Sequence, residues 1–162
     1  MEIERKYLVR QLPDDLEQYE HIEIEQAYLC TSPTLRIRRM GDAYILTVKQ
    51  NLRTELSSAI HNREEEFALT EQSYQHLLQK CDMGRVSKTR YRISLRRQQA
   101  DGAYEGLVAE LDIFHGRHAG LMLVEVEFPN TQAANAFVPP SWFGDDVSAD
   151  YHYRNSYLAS VQ

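Results

Sequence analysis

Apolar and polar residues alternate with period two along most of this chain. Ile3 lies between Glu2 and Glu4, Leu35 and Ile37 alternate with Arg36 and Arg38, and Tyr91 and Ile93 alternate with Arg90 and Arg92. Period two is that of an extended strand, whose successive side chains point to opposite faces. The pattern predicts eight strands, at Glu2–Val9, His21–Cys30, Thr34–Met40, Ala43–Gln50, Arg63–Leu69, Val86–Leu95, Tyr104–Phe114 and Leu121–Phe128. Gly41-Asp42 and Asp101-Gly102 fall between runs and predict hairpin turns, and Gly116 to Gly120 joins another pair.

Helical spacing is rarer. Thr70 to Lys80 opens on a capping Thr and carries Tyr74, Leu77 and Leu78 on one face. Asn130 to Phe137 opens on Asn, is rich in Ala, and is stopped by Pro139-Pro140. Asp150 to Val161 reads as a terminal helix, and residues 51–62 as a loop. With no linker or repeat, residues 1–162 form one domain, mainly β with flanking helices (α+β).

Charge changes this picture. One face of nearly every strand is charged, and the charges are sorted by strand. Glu2 and Glu4, Glu64 and Glu66, Glu110 and Asp112, and Glu125 and Glu127 are acidic pairs, whereas Arg36 with Arg38 and Lys88 with Arg90 and Arg92 are basic sets. An antiparallel sheet with its charged face in water accounts for alternation. It does not account for sorting. The other architecture is a closed barrel turned inside out, with charges lining a wet lumen. Such a lumen suits a polyanion with divalent cations: bases take phosphate oxygens, and carboxylates take hard cations.

Composition narrows the function. The 162 residues are 43% hydrophobic and 26% charged, as in a soluble globular protein, with net charge -6. An acidic balance argues against nucleic acid as partner. No run of about 18 apolar residues supports a membrane span, and the charged start reads as structure, not as a signal peptide. Cys30 and Cys81 form no close-spaced motif, in keeping with a reduced, cytoplasmic protein. Cys30 and Arg36 share the bare spacing of a cysteine-phosphatase loop, but Pro33 lies between them and a strand follows. There is no P-loop, HExxH or paired CxxC motif.

In order, the motifs resemble those of the triphosphate tunnel metalloenzymes of the CYTH superfamily. ExExK is matched by Glu2, Glu4 and Lys6; RxR by Arg36 and Arg38; Thr-x-Lys by Thr47 and Lys49; ExE by Glu64 and Glu66; KxRY by Lys88, Arg90 and Tyr91; ExD by Glu110 and Asp112; and the late EVE by Glu125, Val126 and Glu127. The ending, through Asp146, Val147, Ser148, Asp150, Tyr153 and Asn155, is similar to the family's (E/D)V(T/S)xDxxYxN pattern. His152 stands where the family often has Arg, and residues 51–62 are longer than the family leads one to expect.

The resemblance, closest to short bacterial inorganic tripolyphosphatases, implies a closed eight-stranded antiparallel β-barrel forming a tunnel. It also implies metal-dependent hydrolysis of a triphosphate, with Mg2+ or Mn2+ as cofactor and inorganic tripolyphosphate as the leading substrate. On this reading Lys6, Arg36, Arg38, Lys49, Lys88 and Arg90 bind substrate, Glu2, Glu4, Asp112, Glu125 and Glu127 bind metal, and Glu2, Glu4, Glu110 and Glu127 are catalytic. Glu64 and Glu66 read equally as ion-pair partners of Arg36 and Arg38, Arg92 is left off the site, and Tyr153 and Asn155 read as anchors of the terminal helix. Nucleoside or thiamine triphosphate hydrolysis, adenylate cyclisation of the class IV type, and a non-catalytic polyphosphate-binding module are the alternatives. A homodimer is compatible with the sequence.

Overall fold

The alternating segments become antiparallel strands in the computed structural model, which describes residues 2–51, 60–95 and 106–161. Among these, β1 (Glu2–Val9), β2 (Glu20–Thr31), β3 (Thr34–Met40), β4 (Ala43–Asn51) and β5 (Ile60–Leu69) precede helix α1 (Glu71–Leu78). Then come β6 (Val86–Ser94), β7 (Val108–Phe114), β8 (Met122–Glu127), α2 (Thr131–Ala136), β9 (Phe143–Asp146) and α3 (Asn155–Ser160). The sheet runs β5-β4-β3-β2-β6-β7-β8-β1-β9, and an additional β1–β5 pairing closes eight strands into a ring. No helix among the described residues is long and apolar enough to cross a membrane.

The closing seam is short. One edge of β1 pairs with β8 from Glu4 to Leu8. Its other edge is divided: Glu2, Ile3 and Glu4 pair with Asn62, His61 and Ile60 of β5, whereas Tyr7 and Val9 pair with β9. Between them, the Lys6 N–H donates to Ser148 Oγ at 2.8 Å and its carbonyl accepts from Val147 N–H at 2.9 Å. Every backbone group freed where β5 diverges therefore finds a partner.

Period-two alternation places apolar residues outside the ring, where helices cover them. Tyr74 of α1 packs on Ala27 and Ile37, with Leu77, Leu78 and Leu46 around it. On the opposite flank Ile3, Tyr7, Leu111, Val124 and Val126 pack against Ala134, Phe137 and Phe143 from α2 and β9. Trp142 lies edge-on to Phe143, ring centroids 4.4 Å apart, as a packed corner. A third cluster fills one end of the ring itself. Tyr28, Val86, Phe114 and Leu123 point inward and meet Val147, Tyr153, Leu158 and Ala159, so the C-terminal segment stoppers that mouth.

Local signals account for the helix starts. Thr70 Oγ1 accepts from Ser73 N–H at 3.1 Å, and Asn130 Oδ1 from Ala133 N–H at 2.8 Å. Gly41 turns between β3 and β4 at φ 56, a left-handed value that glycine takes without strain.

Three expectations need correction. Residues 51–62 are not all loop: Asn51 ends β4, and residues 60–62 open β5 because their backbone completes the ring against β1. The terminal segment is not one helix from Asp150. Asp150 Oδ1 accepts from His152 N–H at 3.0 Å and caps a single 3-10 turn over Tyr151–Tyr153; Arg154 is extended, and α3 starts only at Asn155. β9, whose Phe-Gly-Asp-Asp shows no alternation, is an addition to the eight strands expected. The Asp101-Gly102 turn, residues 52–59, and Tyr104 and Glu105 of the seventh expected strand lie outside the described residues.

Candidate active site

Parity carries the charged set indoors. Glu2, Glu4 and Lys6 of β1, Arg36 and Arg38 of β3, Lys49 of β4, Glu64 of β5, Arg90 of β6, Glu110 of β7, and Glu125 and Glu127 of β8 line one cavity of about 1440 Å³. The solvated-sheet alternative is therefore excluded for these residues.

The wall formed by β1, β5 and β8 carries a surplus of carboxylates. Lys49 Nζ lies 2.6 Å from Glu2 Oε2, 3.1 Å from Glu64 Oε2 and 3.7 Å from Glu4 Oε1. One ammonium thus serves three acids. Burial, and then the neighbouring Glu4, push the Glu2 carboxyl up from 4.5 to about 7, against the opposing pull of Lys49. Burial alone would lower Lys49, but Glu4, Glu2 and Glu64 raise it further, so the ammonium keeps its charge. Glu64, the third acid, is held low by Lys49 and Arg36 against burial, so the charge that Lys49 leaves uncompensated lies at Glu2 and Glu4. Glu4 and Glu127 face each other directly in register, and Glu127 has no ion pair among the described residues. Like charges directly opposed across a ladder repel.

Oxygen donors, surplus negative charge and a lysine ammonium standing among them suit a hard ion such as Mg2+ or Mn2+. Among the described residues no three acidic, His or Cys side chains already stand together as a ready-made shell. Side-chain rotation of the Glu2, Glu4 and Glu127 carboxylates would have to complete one.

The facing wall is cationic. Arg38 pairs with Glu66, and Arg36 NH2 lies 3.8 Å from Glu64, so both acids of β5 are ion-pair partners of the β3 arginines. Burial, and then the like charge of Arg36, lower Arg38 from 12.5 to about 10, which leaves it charged at neutral pH. The Nε atoms of Arg36 and Arg38 are buried and have no acceptor among the described residues. Unsatisfied buried donors of like charge are what an oxyanion would relieve.

At the floor of the cavity lies a dense ion-pair network. Arg90 Nε and NH2 each lie 2.7 Å from Asp112 through Oδ1 and Oδ2. Arg90 also bonds Glu110, and reaches Glu125 Oε2 at 2.8 Å. Lys88 bonds Asp112, and Lys6 Nζ lies 2.8 Å from Glu125 Oε1. Burial would raise Asp112, but Arg90 and Lys88 outweigh it and hold the carboxyl low. Burial pulls Lys88 down to about 8, so the pair is charged at neutral pH. Asp112 is 1% exposed and Lys88 2%, and neither lines the cavity. Their placement departs from the sequence expectation, because parity tells side and not depth. Both Asp112 oxygens are spent on cations and both Glu125 oxygens are bonded, whereas Glu2, Glu4 and Glu127 face open space.

Among the cavity-lining residues that sequence reasoning left off the site are Arg92, Arg154 and Asn155. Arg92 continues the parity of Lys88 and Arg90, and that signal could have placed it. Arg154 is extended and Asn155 opens α3, so neither continues a strand alternation. Tyr153 keeps its expected anchoring role: it packs in the stopper, and its carbonyl accepts from Lys6 Nζ at 3.3 Å.

The CYTH domain family model matches residues 1–135. The inorganic triphosphatase of Nitrosomonas europaea is 38% identical over 162 residues, covering 98% of this chain and 96% of that protein. That of Acetivibrio thermocellus is 30% identical over 126 residues, covering 77% and 70%. The crystal structure of the inorganic triphosphatase NE1496 matches with a TM-score of 0.69 at 36% identity, covering all of this chain and 96% of that one. The PH1012 protein from Pyrococcus horikoshii, at 21% identity and TM-score 0.58, covering 83% of this chain and 84% of that one, shares the fold.

Proposed function

We propose, from the premise that this chain belongs to the CYTH domain family, that it is a divalent-metal-dependent triphosphatase whose substrate is inorganic tripolyphosphate. The observation that carries this reading is the split of charge inside one cavity. Carboxylates in surplus on one wall face arginines whose buried Nε atoms lack acceptors on the other. A polyanion bridged by cations satisfies both at once, and a polyanion or a metal alone satisfies one. Its relatives in Nitrosomonas europaea and Acetivibrio thermocellus, both inorganic triphosphatases, support the choice of substrate.

In the proposed mechanism Arg36 and Arg38 take phosphate oxygens through the donors they now leave unsatisfied. Arg90 presents its guanidinium from a fixed position, held by Asp112 and Glu125 from behind. Lys49, which lines the cavity among Glu2, Glu4 and Glu64, supplies a further ammonium to hold phosphate. Glu2, Glu4 and Glu127 would hold Mg2+ or Mn2+. The ion, when bound, neutralises phosphate charge and acidifies water. Glu110 bonds Arg90 through one oxygen, while its other oxygen stands 4.0 Å from Arg92 and faces the cavity. It is placed to accept a hydrogen bond from the water that attacks the terminal phosphorus in line. Attack breaks the phosphoanhydride bond and releases phosphate and pyrophosphate, with cationic side chains stabilising the leaving oxygen. Lys88 and Asp112 act through Arg90, which they hold in place.

A substrate panel tests the reading. With Mg2+ and then Mn2+, tripolyphosphate should release phosphate faster than ATP, thiamine triphosphate or pyrophosphate, and nothing should be released in EDTA. Preference for ATP, with cyclic AMP as product, would replace this reading with a cyclase. Tight binding without turnover would replace it with a sensor.

A further inference from the structure

The cavity is lined by eight lysine and arginine side chains among the described residues, and seven have a carboxylate within 4 Å. The eighth is Arg154. Among the described residues no ion pair or side-chain hydrogen bond engages it, and its backbone alone is used: its N–H donates to the Tyr151 carbonyl and its carbonyl accepts from Leu158 N–H. Its position follows from its neighbours. Tyr153 is half-buried against the apolar stopper, and its carbonyl accepts from Lys6 Nζ. Arg154 is extended, at φ -76 and ψ 136, so its side chain leaves on the other side from Tyr153 and joins the cavity lining beside Asn155 and Ser156. An uncompensated guanidinium therefore stands where the stopper meets the charged zone. A long cationic side chain held there by packing of its neighbours, with no structural partner, gains nothing for the fold.

We infer that Arg154 is a substrate-binding residue that holds the inner terminal phosphate of the polyphosphate, and so helps to set the chain length accepted. This rests on the triphosphatase reading above. The inner end of the cavity is closed by apolar side chains, so a phosphate beside Arg154 carries nothing further along the chain. Arg154 is then an end stop of matching charge. A triphosphate reaches from it toward the acidic wall near the open mouth, whereas a shorter chain must give up one of the two. Any organic group esterified to the substrate would have to face the mouth.

The test compares Arg154→Gln, Arg154→Lys and Arg38→Gln with the natural chain. Three readouts apply: steady-state kinetics with tripolyphosphate and Mg2+, the rise in Tm on adding tripolyphosphate, and the preference for tripolyphosphate over pyrophosphate in that rise. Arg154→Gln should raise KM roughly ten- to a hundredfold, the range expected for one charge-assisted contact. It should leave kcat within severalfold, reduce the ligand-induced rise, and narrow the preference for three phosphates over two. Arg154→Lys should recover part of each. Ligand-free Tm should be unchanged in both. Natural KM and natural ligand-induced rise in Arg154→Gln, with binding lost in Arg38→Gln, would overturn this inference and leave the triphosphatase reading standing. A fall in ligand-free Tm common to both Arg154 variants would also overturn it, by making the residue structural. Failure of the natural chain to bind or cleave tripolyphosphate would remove the functional reading and this assignment together.

Discussion

Glu2 is where structure and chemistry meet most closely. Its carboxyl is pushed up to about 7 by burial and then by Glu4. A carboxyl raised in the folded state contributes stability that is complete below its unfolded value, near 4.5, and is lost as pH rises through about 7. The metal-free protein should therefore lose stability, on the order of 1 kcal/mol, between pH 5 and 8 relative to Glu2→Gln. Thermal melts in EDTA against pH check this. Adding Mg2+ at pH 8 should restore the natural protein and not the variant, because the cation binds the ionised carboxylate. Glu4→Gln should lower kcat by about 10²-fold in saturating Mg2+, as for loss of other electrostatic catalytic groups. Natural turnover in that variant would remove Glu4 from the site. Asp112 should behave oppositely. Its removal leaves Lys88 and Arg90 buried without their counter-ion, so Asp112→Ala should cost about 3–5 kcal/mol by denaturant unfolding. Glu127→Ala should cost little stability and lose metal-dependent activity.

At the scale of elements, the ends of α3 decide whether the stopper stays seated. The Gly84 N–H donates to the Ala159 carbonyl at 2.9 Å, and Arg117 NH1 to the Val161 carbonyl at 2.9 Å. Carbonyls at a helix C-terminus that lack intrahelical donors are thus met from the β6 and β7 sides. A Cβ on Gly84 would lie 3.0 Å from the Ala159 carbonyl oxygen and 2.8 Å from Arg117 NH1. The guanidinium can move, but the backbone must yield. Gly84→Ala should destabilise by roughly 1–3 kcal/mol, and faster amide exchange should appear in α3 before the barrel strands. Uniform acceleration across all strands would contradict a separately seated stopper. The strands themselves were legible because alternation survives in the sequence: Leu35 and Ile37 outward, Arg36 and Arg38 inward. β9 was not legible, since Phe143–Asp146 pairs with β1 through tertiary placement rather than pattern. The broken terminal helix was hidden for a related reason. Tyr153, Tyr157 and Leu158 fit a helical face, but Tyr153 ends a 3-10 turn packed against the stopper and the chain is extended at Arg154.

For the whole molecule, the ring depends on a seam between segments about sixty residues apart, Glu2–Glu4 and residues 60–62. Nothing in either segment names the other, so closure was legible only through family resemblance, while the inward charges were legible from parity. Depth was not legible from either. Asp112 and Glu110 share a strand face, yet Asp112 is locked beneath the cavity and Glu110 looks into it. The central claim is that one hollow holds a divalent cation on its acidic wall and a triphosphate on its arginines. Crystals grown with Mn2+ and a non-hydrolysable tripolyphosphate analogue test it most directly, because anomalous scattering locates the ion. The account predicts a Mn2+ peak among Glu2, Glu4 and Glu127, with phosphate density reaching Arg36, Arg38 and Arg90. Mn2+ and analogue bound on the outer wall, or an empty barrel at saturating concentrations of both, would contradict it.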